Sequence, residues 1–367
     1  MRIILTGGGT AGHITPNIAL IPELKKDGFE IDYIGSKDGM ERYLIEPLGI
    51  PYHPIHAGKL RRYFNFKNLT DLFRITMGFL EALAIIAKTK PDVVFSKGGF
   101  VTSPVVWASW LHRVPVVIHE SDITPGLANR LSIPFASKIC YTFPETEKYL
   151  PPAKRVFTGL PVRKSLLQGD AATGRELCGF TGNKPVLMII GGSQGSEILN
   201  KSIRNLLGEI DKKYDLCHIC GKNGVDPSLT QINGYKQFDY VNEELPHLIA
   251  MADLVISRAG ATTLFELLAL KKPHLLIPLS KQASRGDQIL NAGSFEKQGF
   301  SLVLPEEDLN PKSLLNNIDL LYDSRTKFIT AMNTSQIDNG IRNVISIIKM
   351  AAKSKKAENT NKSRGQV

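Results

Sequence analysis

Ile3-Ile4-Leu5-Thr6-Gly7-Gly8-Gly9 opens the chain, and Leu187-Met188-Ile189-Ile190-Gly191-Gly192-Ser193-Gln194-Gly195 repeats its plan in the second half. Each is a short apolar run that reads as a strand buried on both faces, and each enters a glycine loop followed by a helical pattern. From these anchors the pattern extends in both directions. Strand-like runs lie at 2–6, 30–35, 92–96, 114–119, 137–142 and 155–158, then at 185–190, 215–220, 236–241, 253–257, 274–279 and 301–304. Helical patterns at 15–26, 68–89, 196–208, 261–271 and 287–298 fall between them. Apolar strands alternating with helices predict an α/β protein with two similar, doubly wound parallel-sheet domains, joined near Thr158-Gly159-Leu160-Pro161-Val162. Sites in such sheets lie beyond the carboxyl ends of the strands, so the two domains, 1–162 and 163–336, are expected to face each other across a cleft. Segment 337–352 reads as a terminal helix able to pack on either domain. The basic segment 353–367 has no apolar period and is expected to be a disordered tail.

The composition is that of an ordinary globular protein: of 367 residues, 43% are hydrophobic and 22% charged. No apolar run approaches the ~18 residues of a membrane-spanning helix, and the first strand leaves no room for a signal peptide, so neither an integral membrane nor a secreted protein is expected. Four cysteines (Cys140, Cys178, Cys217, Cys220) make no disulfide framework at this length, which fits a reducing cytoplasm. Cys217 and Cys220 stand three apart in a strand and point to opposite faces, with no second pair to complete a zinc site; they read as two small buried side chains. The net charge of +10 divides into +5 over 1–162, +1 over 163–352 and +4 over 353–367. A basic N-terminal half suits nucleic acid, an anionic membrane or a phosphorylated substrate, and charge alone does not choose.

The glycine loops narrow the choice. Gly7-x-Gly9-x-x-Gly12 fits a dinucleotide fingerprint, with Asp32 or Asp38 as the ribose acid, and would make the chain an NAD-dependent oxidoreductase. Its mechanical content is an anion site built from backbone N–H groups at a helix start. His13 follows directly: the helix dipole disfavours its cation and keeps it basic, while the plainer reading is a helix-start histidine bonded to backbone. Gly191-x-Ser193-x-Gly195 fits a hydrolase nucleophile elbow or a loop that holds phosphate or sugar. Its triad partners are missing, since His218 and His274 lie within strands and His247 in a helix. Ser257-Arg258-Ala259-Gly260-Ala261-Thr262-Thr263 is a third strand–turn–helix element. Here Thr263-x-x-Glu266 is either a capping box or part of a diphosphate and ribose site. No Asp-x-Asp and no Walker motif occurs, so a metal-clamped diphosphate site and a P-loop ATPase lose support.

Taken in order, Gly7-Gly8-Gly9-Thr10-Ala11-Gly12-His13, Ser96-Lys97-Gly98-Gly99-Phe100, His119-Glu120-Ser121-Asp122, Gly159-Leu160-Pro161-Val162-Arg163, Gly191-Gly192-Ser193-Gln194-Gly195 and Ser257-Arg258-Ala259-Gly260 through Glu266 resemble the MurG family of bacterial glycosyltransferases. The resemblance spans about residues 1–350. It implies a GT-B fold of two Rossmann-like domains and a peripheral place at the cytoplasmic face of the cell membrane. The implied reaction is inverting transfer of N-acetylglucosamine from UDP-GlcNAc to the MurNAc C4 hydroxyl of lipid I, the undecaprenyl-diphosphate-linked acceptor, giving lipid II for peptidoglycan. It implies no metal and no cofactor, no nucleic acid, and cell-wall synthesis or division proteins as further partners. Carried over by position, His13 is the base, with Glu120 and Asp122 as further catalytic candidates. Thr10, Ala11, Gly12, Asn129, Arg163, Ser193, Gln194, Arg258, Ala261, Thr262, Thr263, Glu266 and Gln288 are the substrate-binding candidates. The chain departs from the family pattern with Asp122 in place of the frequent Asn, Phe100 in place of Tyr, and Gly286-Asp287-Gln288 on the approach to the sugar site. The competing classes are a GT-B enzyme with another lipid acceptor, an oxidoreductase, and a non-catalytic polyprenyl-diphosphate binder.

Segment 67–90 carries two apolar stripes at helical spacing. Leu69, Leu72, Phe73, Leu80 and Leu83 suffice to bury one face on the sheet. Ile75, Phe79, Ala82 and Ile86 form the other, near Lys59, Arg61, Arg62, Lys67 and Arg74. The expectation is that Ile75 and Phe79 dip into an anionic bilayer, flanked by Arg74 and Lys67.

Overall fold

A computed structural model describes residues 1–58, 67–192, 195–335 and 340–364, with the side chains of 67–70 and 356–364 outside the description. The cations at 59–62, the side chain of Lys67, and Ser193 and Gln194 therefore lie outside the described residues. Two compact units emerge: Met1–Val162 with Asn339–Val367, and Arg163–Asp338.

The first unit holds strands β1 (Arg2–Thr6), β2 (Glu30–Ser36), β3 (Tyr52–Ile55), β4 (Val93–Ser96), β5 (Val116–Glu120), β6 (Lys138–Tyr141) and β7 (Arg155–Phe157). They form one parallel sheet in the order β3-β2-β1-β4-β5-β6-β7. The second unit holds β8 (Val186–Ile190), β9 (Asp215–Ile219), β10 (Tyr235–Phe238), β11 (Leu254–Ser257), β12 (His274–Leu276) and β13 (Ser301–Val303), in the order β10-β9-β8-β11-β12-β13. Both sheets reverse winding beside their first strand, between β1 and β4 and between β8 and β11. Helices springing to opposite faces leave a crevice at such a reversal, and the glycine loops end there.

Alternation along β1 explains the two-sided burial. Ile3 and Leu5 join a cluster with Ile14, Leu20 and Leu24 of the helix Ala11–Lys26, while Ile4 joins Ala82, Ile86 and Val105 on the other face. The terminal helix Gly340–Arg364 completes the first cluster with Ile341, Val344, Ile348 and Ala352. Lys349 pairs with Asp27 at 2.6 Å, and Lys355 Nζ donates to Pro91 O at 2.6 Å. Over 353–364 the backbone is helical where a disordered tail was expected, because the buried turns supply the nucleus and no glycine or proline interrupts that stretch; 365–367 lie outside the described residues. Strand β3, absent from the sequence reading, is an edge strand interrupted by Pro54, where ladder donors are dispensable.

The helix Lys67–Thr89 overturns the expected membrane stripe. Ile75 is only 8% exposed, and Phe79 packs against the Ala82 and Ile86 cluster. The outward face carries Leu72, Phe73 and Leu80, at 56%, 68% and 53% exposure. Both stripes are apolar, so hydrophobicity does not choose between them. Gly78 does, since a Cβ there would stand 2.0 Å from His56 O, and with Ala82 it forms the face narrow enough to lie against the rest of the unit.

Candidate functional site

In the first unit β1 turns through Gly7-Gly8-Gly9 into the helix Ala11–Lys26. The turn is pressed against the loop after β4. Gly8 N–H donates to Gly98 O at 3.3 Å, and a Cβ on Gly99 would lie 2.1 Å from Gly8 O. Gly9 has φ +86 and abuts the Phe100 ring, so no other residue fits. Thr10 is the N-cap residue, with Ala11 and Gly12 in the first turn and half-buried His13 following. His13 Nδ1 stands 3.1 Å from Gly8 O and 3.1 Å from Thr10 Oγ1. A carbonyl oxygen only accepts, so Nδ1 carries the hydrogen and Nε2 is the basic nitrogen. The backbone bond of the plain reading thus sets the tautomer that the catalytic reading needs.

The anion site expected in this loop has an internal occupant. Buried Glu41 accepts from Gly9 N–H at 3.2 Å and from Ser36 N–H at 2.9 Å. Asp32 is likewise engaged, 2.7 Å from His53 Nε2 and 3.6 Å from Arg2 Nε. A dinucleotide therefore finds neither the loop N–H of Gly9 nor the Asp32 ribose acid available.

At the end of β5, Glu120 is 4% exposed and both its oxygens are taken. Oε1 accepts from Asp122 N–H at 3.0 Å, and Oε2 from Gly126 N–H at 3.0 Å and Asn129 Nδ2 at 2.8 Å. Burial, then the charge of Asp122, raises its pKa. Asn129 also donates to His119 O at 3.3 Å and is buried. Glu120 and Asn129 therefore shape the loop 121–129, and half-buried Asp122 is its more accessible carboxylate. Lys97, missed as a candidate, is almost fully buried and donates to Ser121 Oγ. Burial lowers its pKa to about 8 against the opposing pull of Glu120 and Asp122. Its signal was a lysine standing at a strand end immediately before two glycines.

In the second unit, β8 leads into Gly191, Gly192 and Gly195, where a Cβ at Gly195 would lie 2.1 Å from Cys220 O. Ser196 then caps the helix Glu197–Asn205. Arg258 departs from its expected role. Its guanidinium turns inward, with Nη1 donating to Ile277 O at 3.0 Å and Nη2 to Ser196 Oγ at 2.8 Å. The same Nη2 pairs with Glu306 Oε2 at 2.5 Å, and both side chains are at most 10% exposed. Arg258 ties three loops together and has few donors left for a substrate. Glu306 and Ser196, its partners, gave no signal because they lie far away in sequence.

The helix Ala261–Ala269 starts from Gly260, which has no side chain to cap it, and Thr262 and Thr263 stand half-exposed in its first turn. Glu266 does not reach back as a capping box would. Its Oε1 accepts from Arg163 Nη2 at 3.2 Å, and burial raises its pKa while Arg163 opposes. Gln288 Oε1 accepts from Ala259 N–H at 3.2 Å and Leu279 N–H at 3.1 Å, which leaves its Nε2 as the donor end. Arg163, Glu266, Gln288 and the 261–263 turn are thus gathered beyond β11 and β12: an anion-attracting helix start, a guanidinium, a carboxylate and an amide donor. Asp287 pairs with Arg285 at 2.7 Å. The hydrolase elbow fails, because His218 is enclosed between Tyr235 OH and Asn200 Oδ1 at 2.9 and 3.0 Å, and His274 is fully buried in β12. Cys217 and Cys220 are both buried, as the plain reading has it.

Against known proteins, the glycosyltransferase family 28 N-terminal domain matches residues 3–141, and the family's C-terminal domain matches 186–348. A Clostridium botulinum protein named UDP-N-acetylglucosamine–N-acetylmuramyl-(pentapeptide) pyrophosphoryl-undecaprenol N-acetylglucosamine transferase is 57% identical over 352 residues, covering 96% of this chain and 99% of its own. A Clostridium perfringens protein of the same name is 56% identical, covering 96% and 98%. Among solved structures, Acinetobacter baumannii MurG superposes with a TM-score of 0.74 at 24% identity, covering 95% of this chain and 99% of its own. A putative UDP-N-acetylglucosamine 2-epimerase from Listeria monocytogenes superposes at 0.67 with 13% identity, covering 95% of each chain, a likeness of fold alone. With one domain match on each parallel sheet, a gathering of polar groups at the strand ends of each, and 57% identity along 96% of the chain, the chain belongs to glycosyltransferase family 28.

Proposed function

We infer that this chain transfers N-acetylglucosamine from UDP-GlcNAc to the MurNAc C4 hydroxyl of lipid I, with inversion at the anomeric carbon. The identity of 57% along 96% of the chain to the botulinum transferase carries this reading. The second unit takes the donor. Arg163 and the helix start at Ala261–Thr263 neutralise the diphosphate as it leaves, Glu266 accepts from the ribose hydroxyls, and Gln288 Nε2 donates to the sugar. The charge that develops on UDP is met by guanidinium and helix start, so full activity is expected in EDTA. The first unit takes the acceptor, and His13 Nε2 removes the proton of the attacking hydroxyl. Positioned base catalysis is worth ~10²–10⁴-fold. Accordingly, His13→Ala lowers kcat by that order while UDP-GlcNAc KM stays near normal; a near-wild-type kcat removes His13 from the role and makes Asp122 the next candidate.

The decisive assay is UDP release from UDP-GlcNAc with and without a short-chain lipid I analogue. Release that depends on the analogue supports the assignment, and release that ignores it, or appears only with a diacylglycerol acceptor, overturns it. No helix among the described residues is long and apolar enough to cross a membrane. The lipid acceptor is met instead at a surface: Leu72, Phe73 and Leu80, with Trp110 and Leu111 exposed on the adjoining helix Thr102–Leu111, enter an anionic bilayer beside Arg74.

A further inference from the structure

Glu41 lies on the short helix Met40–Ile45, is 0% exposed, and has no part in the chemistry above. Its carboxylate accepts from three donors: Ser36 N–H at 2.9 Å, Ser36 Oγ–H at 2.5 Å and Gly9 N–H at 3.2 Å. Three glycines make room for it. A Cβ at Gly8 would stand 2.6 Å from the carboxyl carbon, one at Gly39 2.4 Å from it, and one at Gly35 2.9 Å from Glu41 Cγ. The first glycine loop is therefore moulded around this side chain.

Gly9 N–H and Gly8 C=O belong to one peptide plane. The plane is rigid and trans, so its N–H and C=O point in opposite directions. The N–H end is held by Glu41, and the C=O end receives His13 Nδ1–H. Neither glycine has a side chain to oppose a flip of the peptide between them, and Gly9 already sits at φ +86. Something must fix which way it faces.

We propose that Glu41 is the built-in anion of this loop and a positioning residue for His13: by holding Gly9 N–H it aims Gly8 C=O at His13 Nδ1 and keeps Nε2 the basic nitrogen. A carboxylate on the N–H also polarises the peptide and makes Gly8 O a stronger acceptor. The proposal rests on His13 being the base. It has a second consequence: the diphosphate of the lipid acceptor cannot take Gly9 N–H, because that donor is already spent inside the fold.

The test compares E41Q, Ser36→Ala and His13→Ala in the full chain. The readouts are kcat, KM for UDP-GlcNAc, KM for a short-chain lipid I analogue, melting temperature, and the ¹⁵N shifts of the His13 ring. The amide in E41Q keeps the volume of the carboxylate but has a single acceptor oxygen, which cannot serve both Ser36 and Gly9 N–H, and sets a donor against whichever is left. The expected result is a kcat reduced roughly tenfold to a hundredfold, as for a small misplacement of a reacting group, with UDP-GlcNAc KM within about twofold. The ring shifts are expected to move from the Nδ1–H form toward a mixture. Ser36→Ala, which removes a single hydroxyl, moves the same readouts in the same direction by less and stands in if E41Q does not fold. Unchanged kcat and unchanged ring shifts in E41Q overturn the proposal. So does a lowered KM for the lipid analogue at unchanged kcat, which would make the loop an anion site that Glu41 merely shields. If His13→Ala keeps wild-type kcat, it is the base assignment that fails, and the ring shifts in E41Q still decide what Glu41 does.

Discussion

Replacing Arg258 with alanine separates a structural tie from a donor ligand. The guanidinium supplies Ile277 O, Ser196 Oγ and the Glu306 carboxylate, and both charged side chains are at most 10% exposed. Removing it leaves a carboxylate shut in without its cation, together with acceptors that water reaches poorly. Breaking a buried pair from one side costs about 3–5 kcal/mol. For a unit of this size each kcal/mol moves the melting temperature by roughly 2–4 °C, so the second unit is expected to melt roughly 6–20 °C lower. Calorimetry reads this directly. Trp107 and Trp110, the chain's two tryptophans, both lie in the first unit, so their emission follows the other unit's unfolding and serves as an internal control. The double variant R258M/E306L, which replaces the pair by apolar side chains, is expected to recover much of the loss. UDP-GlcNAc KM, measured well below the transition, should rise only modestly. If R258A leaves the second-unit transition in place and raises KM tenfold or more, Arg258 is a donor ligand and the tie is refuted.

Substituting Leu72, Phe73 and Leu80 with serine is expected to cut binding to anionic vesicles while sparing activity on a water-soluble acceptor; Ile75→Ser should instead lower the first unit's melting temperature. Unchanged vesicle binding by the triple variant refutes the surface assignment. His218 and His274 predict acid lability of the second unit. Burial pushes their pKa values down to about 3 and about 4, so below pH ~6.5 the unfolded chain takes up protons that the folded chain refuses. Stability is therefore lost as pH falls from ~6.5 toward those values, at about 1.4 kcal/mol per pH unit for each histidine. Calorimetry between pH 7 and 5.5 checks it, and H274L should roughly halve the slope; a flat profile in the wild-type chain would refute the assignment.

What could be read from the residues follows a physical divide. Strands such as Ile3–Thr6 and Leu187–Ile190 announce themselves because burial on both faces demands an unbroken apolar run, and a glycine loop must follow for the backbone to turn into a helix. Strand β3 was silent because an edge strand needs neither. Arg163 and Glu266 entered separately, through resemblance, as donor-binding candidates; their pairing is seen only in the structure, since 103 residues separate the partners and no local rule links them. Glu41, Ser196 and Glu306 were invisible for the same reason: an inward polar contact leaves no periodic trace. The helix Lys67–Thr89 shows a subtler failure. Both its stripes are apolar, and the deciding signal was the small pair Gly78 and Ala82, which marks the face of closest approach rather than the face of greatest apolarity.

The return of the helix Gly340–Arg364 to the first unit has a consequence for how the chain is made. A ribosome releases the N-terminal strands first, and domains usually complete themselves in that order. Here the sheet β3-β2-β1-β4-β5-β6-β7 lacks Ile341, Val344 and Ile348 from its core until the last stretch emerges. The second unit, an unbroken run of chain, has all its strands long before that. The nascent first unit must therefore wait with Ile3, Leu5 and Leu24 incompletely covered, and a transcript cut short after the second unit would yield one finished half and one that keeps an open seam.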